Sequence, residues 1–251
     1  MSRSNVLLLV ALSTVLLLLD LQGTEAKECP ANAVAVGPVC VDKYEASVWE
    51  TTDPELIKKI RDNSVTLADL TAVGAVQRGI AGNDYGSCKP TGQHCVNVYA
   101  VSIAEVRPST FITWFQAIAA ARNSGKRLLT NAEWQAAALG TPDGAPCVVT
   151  GAVTKPTGTA GCVSDVGVFD MVGNVWEYVA DWVPLSSGAC PGWGAFSDDQ
   201  MCFSGADATG GPGVLVRGGS IGYGEGAGVF AVRGDWGPSR PRLPVGFRTG
   251  H

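Results

Sequence analysis

An α+β fold, low in regular secondary structure and rich in turns, is what this sequence predicts. Three observations carry that expectation. The first is composition: the 251 residues include 32 Gly and 14 Pro, are 46% apolar, and are only 16% charged. An average domain is roughly a quarter charged with about 7% Gly. Abundant Gly and Pro with few charges suit many tight turns. The same balance excludes a disordered chain, which is charge-rich and apolar-poor, and a long coiled coil, which needs sustained heptads. The second observation is a pair of helical patterns in the middle of the chain. The third is a C-terminal half broken by turn residues, with only two short apolar runs.

The elements follow in order. Residues 1–26 read as a secretory signal peptide. Arg3 precedes an apolar run from Val6 to Leu19, and Thr24-Glu25-Ala26 offers small residues at a cleavage site. The run is shorter than the roughly 20 residues a membrane-crossing helix needs. No membrane span is therefore expected after cleavage, and residues 27–251 are expected to form a single exported domain. Val34 to Val41, interrupted by Pro38, reads as short extended structure. Asp53-Pro54 reads as a helix cap with Pro at the first helical position, and Leu56, Ile57 and Ile60 form the stripe behind it. Residues 64–97 read as irregular. Trp114, Ile118 and Ala121 recur at helical spacing and Gly125 ends that helix. Thr130 and Glu133 form a capping box for a second helix running to about Leu139. Beyond Gly140 the apolar runs Val166–Val179 and Val214–Val216 stand among turns, so this half reads as loop-rich and strand-poor.

Eight cysteines lie beyond the leader: Cys29, Cys40, Cys88, Cys95, Cys147, Cys162, Cys190 and Cys202. An even number in an exported chain reads as a disulfide framework. Pairing of neighbours is the favoured one of the 105 connectivities that eight cysteines allow. No C-x2-C spacing points to zinc. The net charge of −5 without basic runs gives no electrostatic footprint for nucleic acid. With two His in the whole chain, His94 and His251, neither a multi-histidine iron centre nor a Ser-His-Asp hydrolase is expected.

Five segments then fall in a distinctive order: Asp42-Lys43-Tyr44-Glu45-Ala46; Gly125-Lys126-Arg127-Leu128 with Thr130, Ala132, Glu133 and Trp134; Gly173-Asn174-Val175-Trp176-Glu177 with Asp181-Trp182; Arg217-Gly218-Gly219-Ser220; and Gly246-Phe247-Arg248. Together they resemble the formylglycine-generating enzyme, or sulfatase-modifying factor, family over nearly the whole mature chain. The resemblance implies a variant of the C-type lectin fold. It also implies a copper-binding cysteine pair shortly after Gly-Gly-Ser, and here Tyr223 and Gly228 stand at those positions. No copper and no iron are therefore expected, and the enzyme question leans towards no. The resemblance further implies a structural calcium ion held by Asp170 and Glu177 side chains and Gly173 and Val175 carbonyls, ligands of the hard type calcium takes. The alternative is that Trp176 anchors the core while the two carboxylates are solvated charges. Arg127, Arg217 and Arg248, one in each of three segments, read as ties for loop carbonyls rather than as anion contacts.

Residues 221–245 carry Tyr223, Glu225, Arg233, Asp235, Trp236, Arg240 and Arg242, in a chemistry typical of binding hot spots. This stretch is similar to the variable C-terminal surface of retroelement-diversified receptors that share the fold. Two expectations result. One is a secreted binding module for a protein or small-molecule ligand. The other is an oxidase acting on an exported sulfatase or similar substrate without the cysteine pair. The 221–245 residues could also line the relic of an enzyme pocket.

Overall fold

The computed structural model describes residues 28–158 and 161–251; the expected signal peptide lies outside them. The N-terminal run is a hairpin, β1 (Ala33–Val36) and β2 (Val39–Asp42), turning at Gly37-Pro38. β3 (Ser47–Glu50) leads to α1 (Pro54–Arg61), whose N-cap Asp53 accepts a hydrogen bond from the Leu56 amide at 2.7 Å. Leu56 and Ile60 face inward from it.

The stretch expected to be irregular contains two elements, α2 (Leu67–Ala72) and β4 (Val76–Arg78). Thr66 and Asp69 build a reciprocal capping box at the start of α2. The helix is only six residues long and Leu70 is its one buried side chain. So brief an amphipathic pattern does not reach the length over which periodicity is legible. β5 (Val98–Val101) pairs with β3 across a three-stranded sheet of order β4-β3-β5.

α3 (Trp114–Asn123), β6 (Arg127–Leu128) and α4 (Asn131–Ala138) follow. Capping boxes at Thr113 with Gln116 and at Thr130 with Glu133 fix both helix starts.

The C-terminal half departs from the loop-rich, strand-poor expectation. It holds β7 (Trp176–Pro184), β8 (Met201–Cys202), β9 (Pro212–Arg217), β10 (Val232–Trp236) and β11 (Val245–Phe247), in one five-stranded sheet of order β11-β7-β9-β10-β8. β9 and β11 are short and, apart from Pro212, buried, and register shifts interrupt the pairing of β7 with β9 and of β9 with β10. Buried short strands lack the alternation that would announce them. The last strand, β12 (Thr249–Gly250), lies between β2 and β6 and ties the chain end to its beginning.

Trp176, Tyr178 and Phe247 from this sheet pack with Ile112 and Leu128 in the main core, and Trp134 with Leu129 and Met171 in a second cluster. Four disulfides, Cys29–Cys40, Cys88–Cys95, Cys147–Cys162 and Cys190–Cys202, join neighbours in sequence as expected, and no cysteine is free. Among the described residues, no helix is long and apolar enough to cross a membrane.

Candidate functional site

Two places gather the residues singled out by the sequence. The first is a buried charge centre beneath the sheet. Arg248, fully buried, donates from Nη2 to Glu177 Oε1 at 2.7 Å and from Nε to Glu177 Oε2 at 3.2 Å. It also donates to the carbonyls of Asp42 and Phe169. Glu177 Oε2 accepts in addition from the Trp134 indole at 2.8 Å. Glu45 accepts from Asn174 Nδ2 and from the Val175 amide. Beside this lies a second buried pair, Lys126 Nζ to Asp42 Oδ2 at 2.8 Å, with Asn63 and Thr249 completing its hydrogen bonds. Burial pushes the Glu45 carboxyl well above the ordinary carboxylate range, with the charges of Asp170 and Glu177 adding to the effect. Burial also raises Asp170, although the Gly158 amide donates to its Oδ2 at 2.6 Å.

This geometry bears directly on the expected calcium ligands Asp170, Gly173, Val175 and Glu177. Both oxygens of Glu177 are directed at a fixed guanidinium and an indole N–H. Asp170 Oδ2 accepts from the Gly158 amide. The two expected carboxylate ligands thus already have protein partners, and Glu177 as arranged answers Arg248. Sequence spacing brings the two carboxylates near one another, but it does not disclose that an arginine 71 positions downstream from Glu177 pairs with it. The carboxylates are also not solvated: Asp170 and Glu177 are 3% and 1% exposed.

The other two motif arginines are ties as well. Arg127 makes a two-pronged pair with Glu133, both contacts at 2.7 Å. Arg217 donates to Asn131 at 2.7 Å, lies over the Trp134 ring, and is pulled by burial down to about 10. Positive φ at Gly218 and Gly219 lets the chain after β9 turn against Met171 and Ala227, where any Cβ would overlap them.

The second place is on the C-terminal segment. Arg233 makes a two-pronged pair with Asp235 at 2.9–3.0 Å, donates to the Tyr223 hydroxyl at 3.2 Å, and lies 4.7 Å over the Trp236 ring. Arg242 covers the same ring at 5.4 Å, and Trp176 meets Tyr223 and Trp236 edge-on. Five of the seven expected ligand residues thus come together. Glu225 and Arg240 do not: both are exposed, and among the described residues neither side chain has a hydrogen bond or ion pair to the group. Trp236 is not a displayed side chain, being 5% exposed. It sits on the inward side of β10, where Val232, Gly234 and Trp236 alternate with Arg233 and Asp235. The segment also borders a cleft of about 290 Å³ lined by Ile80, Arg107, Phe111, Val153, Ile221 and Leu243.

Gly228, at the second position implied for a copper-binding cysteine, packs against Asp199. A Cβ built there would overlap the Asp199 carboxylate. Tyr223, at the first position, is half-buried against the Cys147–Cys162 region.

Sequence reasoning missed an exposed aromatic group and an acidic one. Phe196 meets the Trp193 ring edge-on and the Phe230 ring at a tilt, the three being 67%, 37% and 37% exposed. Asp143, Asp198 and Asp199 place carboxylate oxygens within 4.8 Å of each other. The signals were present as lone aromatics in a Gly-rich loop and as an Asp-Asp pair, but nothing local links residue 143 to 198 or 193 to 230.

Known structures resemble this fold at low identity. The major tropism determinant M1 variant matches 88% of this chain and 52% of its own, at 17% identity and a TM-score of 0.52. Its P3c variant gives 88%, 52%, 17% and 0.50. The chain thus spans about half the length of the tropism determinants it matches. CarF matches 89% of this chain and 94% of its own at 15% identity, with a TM-score of 0.46. A search of curated proteins finds no match. The model of the sulfatase-modifying factor enzyme 1-like domain matches residues 19–159 and 149–250, and on that match, with the α+β fold described above, the chain belongs to the sulfatase-modifying factor family and adopts its C-type-lectin-like fold.

Proposed function

We propose that the protein is a non-catalytic binding module of the sulfatase-modifying factor family, exported, that recognises a protein or small-molecule ligand through its C-terminal surface. The observation that carries this reading is sulfur chemistry. All eight cysteines are bonded in pairs, so no thiolate stands where the resemblance implies a copper-binding pair, and soft thiolate ligands are what copper(I) selects. The Asp199 carboxylate beside Gly228 supports the same conclusion, because it takes up the room a side chain would need. The four disulfides and the apolar run at Val6–Leu19 support export. The Asp170–Glu177 segment then has a scaffold role, with Arg248 in the place of a metal ion.

The recognising surface joins Tyr223, Arg233 and Arg242 to the exposed aromatics Phe196 and Phe230. Arg233 Nη1 also donates to Gln200 Oε1 at 3.5 Å. Partly exposed Arg, Tyr and aromatic groups are the residue types that dominate binding energy.

The test of the non-catalytic reading is incubation of the purified protein with copper, oxygen and a Cys-containing sulfatase peptide. No loss of mass from thiol-to-aldehyde conversion is expected; turnover would overturn the proposal. The variable-surface reading expects a near-copy of the codons for residues 221–248 beside the gene, with substitutions confined to adenines. A unique, uncopied segment would remove it.

A further inference from the structure

We propose that Asp143, Asp198 and Asp199 form a binding site for calcium, clipping the loop after α4 to the loop that precedes β8. Three carboxylates from two distant stretches of chain bring oxygens within 4.8 Å of one another. Asp199 is the decisive member. Its side chain is 0% exposed, Oδ2 accepts from the Phe230 amide at 2.7 Å, and Oδ1 has no hydrogen-bond partner. A buried, unpartnered carboxylate oxygen is costly to leave unmatched. Among the described residues no Lys or Arg forms an ion pair with any of the three. Arg217, whose charge reaches Asp199, spends its hydrogen bonds on Asn131 and the carbonyls of Phe230 and Ala231.

The chemistry of the donors selects the ion. The set is all oxygen, with no sulfur or imidazole, which favours a hard cation over zinc or copper. Asp143 and Asp198 are exposed, so the rim is open to water, which completes a calcium shell of six to eight oxygens. Magnesium, with its strict octahedron and reluctance to shed water, is the poorer fit. Binding would fasten three segments together, since Asp199 also holds the Phe230 amide and packs against Gly228.

The probe is terbium(III), a luminescent stand-in for calcium, excited through tryptophan. Trp193 Nε1 donates to the Phe230 carbonyl at 3.2 Å and so lies beside the site. Metal-free full-length protein is titrated with terbium and the emission is then competed with calcium or magnesium. Saturable emission is expected, displaced by calcium at far lower concentration than by magnesium. Asp143→Asn and Asp198→Asn are each expected to weaken binding by about tenfold or more, because ligand charge sets calcium affinity. Both side chains are exposed, so the variants should keep the wild-type circular dichroism; Glu55→Gln on α1 is the unaffected control. Absence of saturable emission overturns the proposal. So does emission unchanged in both Asp variants, or lost only in Asp170→Asn, which would place the ion elsewhere.

Discussion

Arg248 with Glu177 and Arg233 with Asp235 are the same chemical object, a two-pronged arginine–carboxylate pair, in two different regions. The first pair is 0% and 1% exposed; the second is 14% and 13% exposed. Around Arg248 every guanidinium nitrogen donates to a carboxylate or a carbonyl. Around Arg233 the guanidinium lies over the Trp236 ring and donates to the Tyr223 hydroxyl. The difference shows that burial, not residue type, decides whether such a pair is sealed inside the fold or keeps some contact with solvent.

Three changes can break or sharpen this contrast. The largest effect is expected for Arg248→Met. It leaves Glu177 charged and unpaired in the interior, which typically costs about 3–5 kcal/mol, read from urea or guanidinium denaturation. A loss below 1 kcal/mol would mean that the centre is far less sealed than its geometry. Next comes the pH response of Glu45. Its carboxyl is raised above the model-compound value of 4.5 in the folded chain, so the fold prefers it protonated. Its contribution is full below that value and is lost as pH rises through the folded pKa. Stability should therefore fall with rising pH over that window, on the order of 1 kcal/mol for each tenfold displacement of the proton equilibrium, and the slope should flatten in Glu45→Gln. An identical slope in the variant would place the proton on another group. The smallest stability effects belong to the second region. Arg233→Met should cost no more than about 1 kcal/mol, as partly exposed pairs do, and Phe196→Ser should stay within about 0.5 kcal/mol. Thermal melts check both, and a loss comparable with that of Arg248→Met would erase the contrast.

Legibility in the sequence followed the range of the interaction. The Asp53 cap, the Thr130–Glu133 box and the four neighbour disulfides join residues at most 15 apart, and each was readable. The strands β9 and β11 were not, because a short run packed on both faces carries no alternation. The tie reading of Arg127, Arg217 and Arg248 came from the donor count of a guanidinium, which needs no fold. That Arg248 reaches Glu177, one of the expected calcium ligands, was not legible, because a motif carries a ligand set without the distant residue that meets it.

The sequence by itself determined the composition of a turn-rich α+β domain, its disulfide framework, its local caps and the lack of cysteine at positions 223 and 228. Only the tertiary structure decided that Arg248 neutralises Glu177, that Trp236 turns inward, and that Asp143 meets Asp198 and Asp199. Caps and short loops are set by neighbouring residues whose geometry the backbone imposes. Counterions and burial depend on which distant segments meet, and that follows from the packing of the whole sheet rather than from any stretch of it.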